Sequence, residues 1–332
     1  MNKKRILTGD RPTGRLHLGH YVGTLENRVR LQDDYECFFI IADLHVLTTR
    51  TENLSEIGEN VRQLVLDYLS VGIDPEKSTI YLQSLVPEVS ELCLLFSMLI
   101  SVPRLQRVPT LKEVMRDLKL ETASSGLLIY PVLQAADILM VRAHLVPVGR
   151  DQASHVEVTR EIARRFNTLY GLVFPEPEAM IGRIPTLVGL EGQAKMGKSL
   201  GNAIFLSDDS PTVTRKVLGM FTDPTKIHIT DPGHPRTCPV YSYHRAFGKR
   251  SGVVSNIRRT CMAGQRGCVQ CKRELVAVIN EFLNPIRERR AVYEKRPELV
   301  NEIVRDGSVR ARNEAQQTLQ LAKEAMGLTY FR

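Results

Sequence analysis

Along its first half the chain alternates short apolar runs with amphipathic stretches. "RILTG" (5–9), "CFFIIAD" (37–43), "STIYLQS" (78–84) and "LVPVG" (145–149) end in turn or polar residues and predict strands. Between the second and third, "SEIGENVRQLVLDYLSVG" (55–72) spaces its apolar residues at helical intervals and closes on Gly72. "DQASHVEVTREIARRFN" (151–167) follows the fourth run as a further helix. Such alternation predicts an α/β fold with a doubly wound parallel sheet, whose ligands sit at the C-terminal ends of the strands. A turn-rich stretch, "YGLVFPEPEAMIGRIPTLVGLEGQ" (170–193), then reads as a boundary. Beyond it the pattern is mainly helical, over 210–222, 273–296 and 309–328. The expected division is a sheet domain over 1–176, a linker and loop over 177–204, and a helical domain over 205–302. The last helix, 303–332, returns to complete the first domain.

Composition adds bounds. The 332 residues are 43% apolar and 25% charged, enough for two cored domains. The longest apolar run, "LCLLFSMLISV" (92–102), is too short to span a bilayer, and the N-terminus lacks a secretory pattern. The expectation is a cytoplasmic protein without a membrane partner, whose six cysteines are thiols or metal ligands rather than disulfides. Charge changes the picture more. Between Arg236 and Arg296 lie 14 Lys/Arg against four Glu and no Asp, +10 of local excess in a chain whose total is +8. An excess this concentrated points to a polyanion, and nucleic acid is the expected partner.

Two motifs carry chemistry. "TGDRPTGRLHLGHYVGTLEN" (8–27) follows the first strand and faces the nucleotide crevice. Its glycines allow close backbone approach, and the helix that follows favours an anion at its N-terminus. His17 and His20, three apart, fall on one helical face, where two imidazoles can donate to phosphate oxygens. Alone they would pass for surface or capping histidines, and no third ligand supports a metal there. The second motif is "GQAKMGKSLGNAIFLSDD" (192–209), in which Lys195 and Lys198 can hold a triphosphate and stabilise departing pyrophosphate. Gly192, Gly197, Lys198 and Ser199 have Walker A spacing, but no strand directly precedes them.

Together "HLGH" and "KMGKS" resemble the two signatures of class I aminoacyl-tRNA synthetases. Over nearly the whole length the chain is similar to the tryptophan-specific members of that class. "PTGRLHLGHYVG", "ADLHVLTT", "YPVLQAADIL", "VPVGRDQASHVEVTREIARRFN" and "AMGL" carry the resemblance. It implies a Rossmann-type catalytic domain, a helical anticodon-binding domain, a homodimer, and the substrates L-tryptophan, ATP and tRNA(Trp), with Mg²⁺ on the phosphates. It further implies catalysis by His17, His20, Lys195 and Lys198. ATP would be held by Arg11, Thr13, Gly14, His17, Gly19, His20, Gly149, Asp151, Lys195, Met196, Lys198 and Ser199. Tryptophan would meet His45, Tyr130, Gln134, Asp137 and Gln152. Asp137, on a helix expected to start near Pro131, would accept the indole N–H, a group that only donates. Lys112 is a further phosphate candidate.

Three departures stand out. Gly197 replaces a usual serine, Arg150 a usual acidic residue, and Arg11 a frequent glutamine, changes that fit an auxiliary or altered-specificity paralogue. Cys37 and Cys93 lie in apolar runs and read as core thiols. Cys238, Cys261, Cys268 and Cys271, with 22, 6 and 2 residues between them, read as a metal site. A single Cys-x-x-Cys with a third ligand close by and a remote fourth suits a 4Fe–4S cluster better than zinc, which stays as the alternative. Two other functions share these motifs: a tyrosyl-tRNA synthetase, and a non-catalytic RNA-binding iron–sulfur paralogue.

Overall fold

The computed structural model describes the chain except residues 1–2, 50–53, 118, 150–151, 182–186, 193, 199, 249–250 and 331–332. Strands β1 (Arg5–Asp10), β2 (Glu36–Ile41), β3 (Ser78–Leu82), β4 (Leu145–Val148) and β5 (Glu178–Ile181) form one parallel sheet in the order β3-β2-β1-β4-β5. The helices, in chain order, are α1 (Leu18–His20), α2 (Glu26–Leu31), α3 (Leu44–Leu47), α4 (Ile57–Val71), α5 (Glu88–Ser97), α6 (Val102–Gln106), α7 (Pro109–Asp117) and α8 (Ser125–Met140). There follow α9 (Ala153–Tyr170), α10 (Ser210–Leu218), α11 (Pro239–Phe247), α12 (Ser251–Met262), α13 (Cys268–Glu294) and α14 (Pro297–Ala325). A π-type turn, Tyr21–Leu25, joins α1 to α2.

The doubly wound sheet is as the alternation predicts, with two differences. β5 lies inside the stretch read as a boundary and past the 1–176 limit. Its four residues are half-buried or exposed, so no apolar run marks it. The helix bearing Asp137 starts at Ser125, not at Pro131, which lies inside it. Ser124 caps that helix by accepting from the Leu127 N–H at 3.2 Å.

Two cores flank the sheet. One lies under α4, α10, α11 and α13, the other under α5, α8, α9 and α14. Gly9 exists because β1 and β2 run close: a Cβ there would sit 1.9 Å from the Ile40 carbonyl oxygen. Gly307 lets α14 lie backbone to backbone on β3, where a Cβ would meet the Ile80 carbonyl oxygen at 1.9 Å. Beside it, Ser308 Oγ accepts from the Leu82 N–H at 3.1 Å, so α14 covers the edge strand. No helix among the described residues is long and apolar enough to cross a membrane.

Candidate active site

The crevice opens where the sheet's order reverses. β1 and β4 pair only at Ile6↔Leu145 and then separate. Pro147 has no N–H to offer a ladder, and the Thr8 hydroxyl donates instead to its carbonyl oxygen at 3.0 Å. Between the strand ends lies a cavity of about 550 Å³. Gly9, Asp10 and Arg11 line it from β1, Val148 and Gly149 from β4, and His45, Tyr130, Gln134, Asp137 and Gln152 from the helices around it.

Asp137 is the buried acid of this cavity, 2% exposed. Gln83 Nε2 donates to both its oxygens at 2.9 Å, and His45 Nε2 lies 2.9 Å from Oδ2. Burial pushes its carboxyl above the usual range, against the pull of His45 and Gln83. His45 thus both lines the cavity and holds the acid. Two turns before Asp137 on the same helix, the Tyr130 hydroxyl lies 2.7 Å from Thr110 Oγ1 and 2.8 Å from His155 Nε2, and His155 Nδ1 lies 2.8 Å from Gln152 Oε1. Gln83, Thr110 and His155 stand out in no pattern along the chain. Gln83 follows β3 in a 3₁₀ turn without a motif, and Thr110 lies 20 residues from Tyr130.

The first signature follows Asp10 and Arg11 in the chain, but Thr13, Gly14, His17, Gly19 and His20 are not among the residues that line the cavity. The His17 and His20 rings lie 3.8 Å apart between centroids, tilted by 44°, and the His17 backbone N–H donates to His20 Nδ1 at 3.2 Å. That bond leaves Nε2 of a neutral His20 as its donor. Burial, with Lys198 nearby, lowers the His17 pKa to about 3 and that of His20 to about 4. A Cβ on Gly19 would crowd the His17 ring at 3.0 Å. Asp10, which lines the cavity, acts on His20 and is itself bound to Arg28 at 2.6 Å and Tyr68 at 2.7 Å.

The second signature reaches the first through one lysine. Lys198 Nζ donates to the Gly14 carbonyl oxygen at 2.8 Å and to Thr13 Oγ1 at 3.3 Å. Gly14 makes its turn at φ +112°. Met196 is buried, and its N–H donates to the Leu187 carbonyl oxygen. Lys195 is not brought in: its side chain is exposed, with no hydrogen bond or ion pair among the described residues. Lys112 is likewise exposed on α7 and does not line the cavity. Arg11 lines it and donates to Thr49 Oγ1 at 3.4 Å. Arg150, Asp151 and Ser199 lie outside the described residues.

The class I tRNA synthetase family for tryptophan and tyrosine matches residues 1–284. A tryptophan–tRNA ligase of Treponema pallidum is 55% identical over 98% of this chain and 97% of its own. The chain belongs to the tryptophan–tRNA ligase family. Another member, from Thermotoga maritima, is 48% identical over 98% of this chain and all of its own. The crystal structure of the Campylobacter jejuni tryptophanyl-tRNA synthetase, complexed with ADP and tryptophan, superposes with a TM-score of 0.87 at 33% identity, covering 97% of this chain and 99% of that one. These full-length relatives favour neither the tyrosyl reading nor the non-catalytic one.

The four-cysteine metal site expected from the spacing is not shown by the structure. Among the described residues, no group of three or more His, Cys, Asp or Glu stands in an arrangement that holds a metal. Cys238 precedes α11, Cys261 ends α12, and Cys268 and Cys271 open α13. Burial raises the thiol pKa values of Cys238, Cys261 and Cys271, and other cysteines of the four add to each shift. The sulfurs are neighbours, not a cage. Cys37 and Cys93 are core thiols, as their apolar runs predict.

Proposed function

We infer that the crevice between β1 and β4 is where this tryptophan–tRNA ligase activates its amino acid. The tryptophan carboxylate attacks the α-phosphorus of ATP, the bond to the bridging oxygen breaks, and pyrophosphate leaves. The tryptophanyl group then passes from AMP to the 3′ end of tRNA(Trp). The substrate supplies the nucleophile, so the chain contributes position and electrostatics.

One observation carries the assignment: a fully enclosed acid, Asp137, fixed by His45 and Gln83 at the cavity wall. Its remaining lone pair suits the indole N–H. Tyr130, Gln134 and Gln152 take the ammonium group and the wall. Arg11, Thr13, Gly14, Gly19, Gly149 and Asp151 serve the nucleotide, with Met196 and Ser199 supporting the second loop. His17, His20 and Lys198 meet the phosphates. Lys195 joins them when its loop closes over bound ATP. Mg²⁺, when bound, would neutralise phosphate charge.

Tryptophan-dependent pyrophosphate exchange, repeated with all twenty amino acids, tests the reading. Tryptophan alone should support exchange, and a response to tyrosine would overturn the specificity. Asp137→Ala removes the acceptor of a buried donor, worth about 1–3 kcal/mol, and should weaken tryptophan use. Lys198→Ala should slow activation on the order of 100-fold with tryptophan binding retained.

The basic helical region, 205–302, is the proposed tRNA anticodon surface of a cytoplasmic homodimer. Cys238, Cys261, Cys268 and Cys271 are proposed to hold a 4Fe–4S cluster, or zinc. Their spacing and mutual influence support this, and binding requires the thiols to close into one cage. Iron, sulfide and zinc analysis after anaerobic purification tests it, and finding none of them would end the proposal.

A further inference from the structure

Asp67 lies outside the cavity and outside both signatures, yet three parts of the chain meet on it. It is 0% exposed on the inner side of α4. Its Oδ2 accepts from the Leu16 N–H at 2.6 Å, one residue before His17. Its Oδ1 accepts from Arg290 Nη1, on α13, at 2.6 Å. Arg290 is held elsewhere too: Nε donates to Glu294 Oε1 at 2.8 Å, and Nη2 donates to Gln63 Oε1. Leu16 is 0% exposed, so water cannot replace the carboxylate at its N–H.

The next residue on α4 holds the other end of the same loop. The Tyr68 hydroxyl donates to Asp10 Oδ2 at 2.7 Å. Two consecutive residues of one helix therefore pin both ends of the segment from Asp10 to Leu16. Between those ends lie Thr13 and Gly14, which receive Lys198 from the second signature. The chain after that signature is tied in as well: the Leu18 N–H donates to the Ile204 carbonyl oxygen and the Leu206 N–H to that of Leu16. α13 begins at Cys268 and Cys271 and carries Arg290 near its other end. From Cys268 to Arg290 a straight helix spans about 33 Å.

We propose that Asp67 is a positioning residue for the activation step, fixing the ATP-facing loop 10–17 in register with α13 through Arg290. It touches no substrate. Its two oxygens serve one bond each, so the loop takes its place only when α13 is seated. The proposal rests on the assignment of that loop to ATP.

Asp67→Asn separates the two bonds, because an amide has one acceptor oxygen for two donors. In tryptophan-dependent pyrophosphate exchange, Asp67→Asn should raise the KM for ATP about tenfold and leave the KM for tryptophan within about twofold. Arg290→Met should move the ATP constant the same way. Because both act on one pair, the double variant should fall short of the product of the single effects. Rising ATP and tryptophan constants together, or effects that multiply, overturn the proposal. If Asp67→Asn does not accumulate folded, Arg290→Met decides through the same split between substrates. Lys198→Ala distinguishes the two layers. An ATP effect there but none in Asp67→Asn and Arg290→Met defeats the positioning role alone. No ATP effect in Lys198→Ala defeats the assignment of the loop to ATP.

Discussion

Two acid–arginine pairs meet at α4, and they are built for different ends. Asp10 and Arg28 belong to β1 and α2, with Tyr68 as a shared partner, so the whole group lies within the sheet and its nearest helices. Asp67 and Arg290 join α4 to α13 across more than two hundred residues of sequence. Burial pushes both carboxyls up. At Asp10 the charge of Arg28, the nearby His20 and the Tyr68 hydroxyl overcome it and hold the pKa at about 2. At Asp67 burial prevails over Arg290 and the Leu16 N–H, and the pKa rises to about 6. Asp10 keeps 20% of its side chain exposed, while Asp67 keeps none. The first pair is a fixed floor beneath the crevice. The second costs the fold at neutral pH, which is consistent with a carboxylate kept for where it holds the loop.

The largest expected effect separates the pairs by stability. Arg28→Met leaves Asp10 without its cation and should destabilise the protein by about 3–5 kcal/mol in urea unfolding at pH 7.5. Arg290→Met should cost less, about 1–3 kcal/mol, because Asp67 takes up a proton more readily. Lowering the pH to about 5.5 should shrink the second loss and leave the first in place. Equal losses at both pH values would erase the distinction.

The pH dependence of the unsubstituted chain sharpens it. Asp10 has a folded pKa below its unfolded value near 4, so its contribution, about 2 kcal/mol, is present above pH 4 and lost as pH falls towards 2. Asp67 has the opposite sign. Its folded pKa lies above the unfolded one, so the native state binds the extra proton. Stability therefore declines as pH rises from about 4 to about 6, and stays level beyond. Asp67→Asn should remove that decline, and Asp10→Asn should remove the acid-side loss, in unfolding curves measured across the range.

The smallest effect concerns the second signature. A Cβ on Gly197 meets Leu200 Cδ1 at 3.5 Å, an ordinary contact, and its N–H donates to Asn202 Oδ1 at 2.9 Å. Gly197→Ser should change stability by less than about 0.5 kcal/mol and leave exchange equal or improved. A clear loss of exchange would mean that the loop needs the glycine's freedom.

What the sequence made legible follows from range. Strands β1 to β4 announce themselves as apolar runs, and α4, α9 and α13 by helical spacing, because those signals are local. The signatures and Asp137 are legible as motifs. β5 is not, since four half-exposed residues between prolines and glycines carry no period. Neither are Gln83, His155, Asp10 with Arg28, or Asp67 with Arg290. Each is an ordinary polar residue whose meaning comes from a partner on another element, and pattern along the chain does not encode that encounter. The cysteines show the converse: their spacing is suggestive, but spacing does not fix how their side chains meet.

The seat of α14 on β3 sets a timetable for synthesis. Gly307 and Ser308 meet Ile80 and Leu82 across more than two hundred residues, so the edge strand emerges from the ribosome long before its cover exists. Until Pro297–Ala325 has been made, β3 offers unpaired backbone to any other strand, including one from a neighbouring nascent chain. The hazard lasts through translation of the entire helical region and ends only when the helix docks.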